Sequence, residues 1–138
     1  MEYRTMVLCG AFLFSGITNT AIAEETLGQK EFNASCAVCH GANGKGDGVY
    51  TEFLKNGAPS LTTLSKRNGG VFPFDQVYQV IDGRTAKGHG TSEMPIWGPA
   101  YAAEAMQFRG PFFGEWISEE VARGRILALI SYISTLQE

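Results

Sequence analysis

Histidine and cysteine are scarce in this 138-residue chain, with two of the first and three of the second. Charge is scarce too. Only 18% of residues are charged and they nearly balance, eleven basic against fourteen acidic, for a formal net charge of -3. With no basic excess to draw phosphates, nucleic-acid binding is excluded as the main task. The most apolar run, residues 6–17, has twelve residues and falls short of the ~20 that a membrane-spanning helix needs. A length of 138 residues leaves room for one small domain and not for two cores. What is present is glycine, 17 residues or about one in eight, against a usual ~7%. The hydrophobic share of 44% is that of an ordinary globular protein, which argues against disorder.

The first 23 residues read as an export signal. Arg4 precedes the apolar run, and Ala21-Ile22-Ala23 supplies the small-x-small ending, so cleavage is expected after Ala23, with residues 24–138 forming the mature domain. An uncleaved anchor is the competing reading, and the shortness of the run disfavours it. Cys9 would leave with the signal. A lipoprotein role for it fails, because it comes before a full apolar stretch and Met6 stands three positions earlier, where leucine is usual. Two cysteines then remain, in an exported and oxidising compartment, the periplasm.

Those two stand in Cys36-Ala37-Val38-Cys39-His40, and C-x-x-C-H reads as a c-type haem attachment site. Two thiols three positions apart on one helical turn each add to a vinyl group of the same porphyrin. The histidine that follows is placed to coordinate the iron. A redox dithiol needs a surrounding βαβ pattern that is missing, and a zinc site needs two further ligands where only His89 offers nitrogen. Both stay open as weaker readings.

An iron that only changes oxidation state needs a second axial ligand, and methionine in that place raises the reduction potential. Past the signal only Met94 and Met106 are available. Met94 lies in Ser92-Glu93-Met94-Pro95-Ile96-Trp97-Gly98, where the proline restricts it to extended backbone, suited to a loop that presents a side chain. His89, between Gly88 and Gly90, is the rival and would give a bis-histidine centre. Met106 reads as packing.

Taken together, Cys36-Ala-Val-Cys39-His40-Gly41, Gly44-Lys-Gly46-Asp47-Gly48, Pro59-Ser-Leu61 and Met94-Pro95-Ile-Trp97-Gly98 resemble a small monohaem bacterial cytochrome c, of class I type. The resemblance covers nearly all of the mature chain. It implies an all-α fold of about three core helices with long loops wrapped around one covalent haem c. It also implies Cys36 and Cys39 as haem-linking residues, His40 and Met94 as axial iron ligands, and a hydrogen bond from His40 to the Pro59 carbonyl that orients the imidazole. Residues 101–116 are longer than a minimal member needs.

The helices are legible from spacing. Gly28, Phe32 and Cys36 fall four apart in a helix over residues 27–38. Val77, Val80 and Ile81 mark a short one over 75–81, stopped at Asp82-Gly83. Ser118 reads as the N-cap of a final helix, with Glu119 and Glu120 in its first turn. Its buried face carries Ala122, Ile126, Leu129, Ile130, Ile133 and Leu136. The resemblance implies that this last helix crosses the first near Gly28 and Phe32, with Leu129 and Tyr132 in the contact. No strand pair, internal repeat or linker is apparent.

Gly41, Gly44, Gly46 and Gly48 read as a tight loop close to the porphyrin, since no strand precedes them and no Gly-Lys-Ser/Thr follows, as a phosphate loop requires. Gly69-Gly70, Gly88 and Gly90 read as turns. The aromatics Phe108, Phe112, Phe113 and Trp116 admit three roles: cover for the haem edge, a partner-binding patch, or core. The expected function is a one-electron carrier between redox proteins, periplasmic or membrane-bound. The alternatives are the cytochrome subunit of a periplasmic dehydrogenase, or a haem protein with an open sixth site for a small ligand. With ten basic against thirteen acidic residues after cleavage, docking is expected through a weakly charged or apolar patch rather than a basic one.

Overall fold

A computed structural model describes residues 24–84, 94–109 and 114–138; the stretch read above as an export signal, His89, Phe112 and Phe113 lie outside them. The first helical stretch begins at α1 (Leu27–Glu31), whose N-cap Thr26 accepts a hydrogen bond from the Gln29 amide. It runs on through a π-helical turn, Phe32–Cys36, into α2 (Ala37–His40). The expected face is present: Gly28, Phe32 and Cys36 are all buried. The π turn adds a residue to the helical register and ends on Cys36, the first residue of the Cys-x-x-Cys-His segment, a kind of distortion common at functional sites.

A short turn of helix α3 (Leu64–Arg67) leads through Gly69-Gly70 to α4 (Phe74–Asp82), which buries Val77 and Ile81 and ends on Gly83 in the left-handed region, φ 75°. Helix α5 (Trp97–Arg109) and the long α6 (Glu115–Thr135) complete the chain and pack on each other. No strand is assigned among the described residues.

The core sits where α6 meets α1, α4 and α5. Phe32, Ile126, Leu129 and Ile130 are wholly excluded from solvent, with Ala122 and Ile133 on the same α6 face. At the α1–α6 crossing the Phe32 and Tyr132 rings lie 5.3 Å apart. A Cβ on Gly28 would stand 2.0 Å from the Ala128 carbonyl oxygen, so only glycine lets these backbones approach.

Four expectations change. The three expected helices are joined by a fourth, α5, which begins at Trp97 in the segment read as a loop and runs into the longer stretch 101–116. Ser118 does not cap α6: the helix starts three residues earlier, and Ser118 is buried inside it, lining one small cavity together with Pro99 and Ala102 of α5. Met106 is not packing, being 52% exposed. Phe108 and Trp116 are exposed as well and line neither cavity beside Cys36 and His40, so core and haem cover are both lost as roles for them.

Candidate functional site

The site is built on the C-terminus of α2. Helix ends leave carbonyls without intrahelical partners, and here the following loop supplies them. The Gly46, Gly48 and Tyr50 amides donate to the carbonyls of His40, Cys39 and Val38 at 2.8, 3.0 and 2.9 Å. The Thr51 hydroxyl also donates to the Cys39 carbonyl. Gly41, Gly44 and Gly46 have positive φ, whereas Gly48 does not and is confined instead by the Val38 carbonyl. A Cβ on Gly46 would lie 2.3 Å from the Ala58 carbonyl oxygen, so this glycine lets the 58–60 strand of chain come close enough to reach His40. Gly69 and Gly70 turn with positive φ in open space.

His40 is buried, and its Nδ1 lies 3.0 Å from the Pro59 carbonyl oxygen. Burial lowers the imidazole pKa from its ordinary value, and the Pro59 hydrogen bond opposes this less strongly. The neutral ring donates from Nδ1 to Pro59, which leaves the Nε2 lone pair for a metal.

Two adjoining cavities of about 350 Å³ each flank this histidine. Both are lined by Cys36, His40, Pro59, Val80 and Met94, so they are lobes of one cleft. One lobe extends over the apolar Leu61, Leu64, Val77, Ile81, Leu129 and Ile133, and the other reaches Cys39, Leu54, Pro95 and Trp97. Each lobe alone is within the usual size for a bound cofactor. The polar exceptions in the first lobe are Arg67, Asn68 and Gln76, from the end of α3 and the start of α4, all three exposed. Reading the sequence missed these three. The signal for Arg67 exists only in three dimensions: Arg84, Arg123 and Arg125 each face a carboxylate, while Arg67 makes no ion pair among the described residues and donates instead to the Ser60 carbonyl.

The cleft therefore brings together Cys36, Cys39, His40, Pro59 and Met94, while His89 lies outside the described residues and Met106 is remote from the cleft. The rival chemistries lose ground. A redox dithiol wants a stabilised thiolate, yet burial, with Glu31 and Cys39 adding to it, pushes the Cys36 thiol up to about 12. No group of three or more His, Cys, Asp or Glu suited to a metal ion occurs among the described residues, so zinc has no ligand set there. The donors and apolar walls fit a flat metal macrocycle, and Arg67 is a cation in the cleft lining that could meet acidic substituents on it.

An all-helical fold with a Cys-x-x-Cys-His helix end over such a cleft defines a c-type haem protein. The cytochrome c family model matches residues 25–137, and the chain belongs to that family, whose members bind haem c covalently with its iron and transfer electrons through it. No curated protein matches the chain, and no solved structure does either.

Proposed function

We propose that the protein is an exported, periplasmic one-electron carrier, with Cys36 and Cys39 linked to the haem and His40 and Met94 as axial ligands. The observation that carries this reading is that His40 and Met94 line both lobes of the one cleft whose wall also holds the two cysteines. When bound, the haem supplies an iron couple of two states one electron apart.

The chain's own residues do the rest. The Pro59 carbonyl holds the His40 ring in one orientation and raises its basicity as a ligand. Met94 packs against the core and has Pro95 fixing its backbone, which supports a closed sixth position over one open to a small ligand. Val77, Val80 and Ile81 exclude water from the cleft. Arg67, with Asn68 and Gln76, would hold acidic substituents of the macrocycle and offset their charge. No described helix is long and apolar enough to cross a membrane, and partners are redox proteins met at a weakly charged surface.

The test is an absorption spectrum of the purified exported protein, oxidised and reduced, with a redox titration and N-terminal sequencing. The reading expects haem that survives denaturation, a one-electron titration, low-spin spectra in both states and a chain beginning at Glu24. A high-spin ferrous form that binds carbon monoxide at once would favour the open-site alternative.

A further inference from the structure

Helix α5 begins only three residues after Met94, and its first turns carry a stack of aromatic rings that leads away from the cleft. Trp97 lines the lobe shared with Met94, and its ring centroid is 5.6 Å from that of Tyr101. Tyr101 is 2% exposed, and the guanidinium of Arg125 from α6 stands 4.0 Å above its ring. Arg125 is itself held: its Nε and a terminal nitrogen donate to the two carboxylate oxygens of Glu31 at 2.8 and 3.0 Å, and its other nitrogen donates to Glu104 at 2.6 Å. Glu31 closes α1, the helix that continues into Cys36 and Cys39. The chain of contacts thus runs from the element that carries the cysteines, through Arg125, Tyr101 and Trp97, to the segment that carries Met94.

We propose that Tyr101, clamped by Arg125, is a positioning residue for Met94: it fixes Trp97 and so fixes where the methionine sulfur stands relative to His40. This rests on the reading of Met94 as the distal ligand. The part played by Tyr101 is that of its ring. Its buried hydroxyl has no well-formed hydrogen bond among the described residues, so phenylalanine keeps the ring contacts on which the role depends. A rigid stack matters because a thioether is a weak ligand, easily displaced when its loop swings. Bidentate pairing to a carboxylate makes Arg125 a stiff clamp, which a lysine would not reproduce.

The test uses the haem-loaded protein, with Tyr101→Leu and Tyr101→Phe, neither of which changes the charge. Two readouts apply: the far-red charge-transfer band of methionine-ligated ferric haem, and the affinity of added imidazole for the iron. Tyr101→Leu should weaken the band and raise imidazole affinity at least about tenfold, which corresponds to about 1.4 kcal/mol. Tyr101→Phe should leave both as in the unmodified protein. Arg125→Gln, altering a side chain near the surface, should raise imidazole affinity by a smaller factor while covalent haem is retained. Unchanged band and imidazole affinity in Tyr101→Leu and Arg125→Gln would overturn the positioning role and leave Met94 ligation standing. Absence of the band from the unmodified protein would overturn both.

Discussion

The imidazole Nδ1 of His40 and the carbonyl oxygen of Pro59 lie 3.0 Å apart, nineteen residues along the chain from one another. The contact fixes the ring's tautomer, and burial makes the ring resist protonation. Both keep Nε2 free of a proton and available to a metal, as an iron ligand at His40 requires.

Gly28 should be irreplaceable. Any side chain there meets the Ala128 backbone, so Gly28→Val must push α1 and α6 apart. We expect a loss of about 1–3 kcal/mol or more in denaturant unfolding of the haem-loaded protein, with its visible spectrum little changed.

Leu129 is fully buried on the α6 face that also lines the cleft. Leu129→Ala should cost about 2–5 kcal/mol. The same substitution at Leu127, which is 41% exposed, should cost far less. Thermal unfolding of both variants separates a buried face from a merely helical one.

Removing the cation at the cleft mouth should lower the reduction potential. Arg67→Met deletes a positive charge in the cleft lining that favours the electron-rich state. A redox titration reads the shift, and an unchanged or raised potential would contradict the assignment.

The fold should depend on the cofactor. Two cavities of about 350 Å³ each inside so short a chain leave much of the interior to be filled by the bound group. Cys36→Ala with Cys39→Ala should give a chain with little native helix by far-UV circular dichroism.

The sequence made the ends of this fold legible and its middle much less so. Gly28, Phe32 and Cys36 announce one buried face, and Ile126, Leu129, Ile130 and Ile133 another, because both follow helical spacing. The helix read over 75–81 is Phe74–Asp82. Helix α5 was hidden because Met94-Pro95 and Gly98-Pro99 resemble loop punctuation. Proline is nonetheless tolerated in a first helical turn, and the alanines after it favour helix. Ser118 misled because a serine before two glutamates is the usual N-cap pattern, while here it is buried within the helix that starts before it. Phe108, Trp116 and Met106 show the limit of apolar residue type as a guide to burial, since all three are exposed. Arg67 could not be singled out, because what marks it is the carboxylate it lacks in space.

Everything proposed for the haem turns on Met94 closing the iron that His40 holds. The most direct measurement is the oxidised absorption spectrum and reduction potential of Met94→Ala beside the unmodified protein. The variant should lose the far-red methionine band, fall in potential and open its iron to added ligands, while its haem stays covalently attached. A variant that keeps both band and potential would show that another residue holds that position.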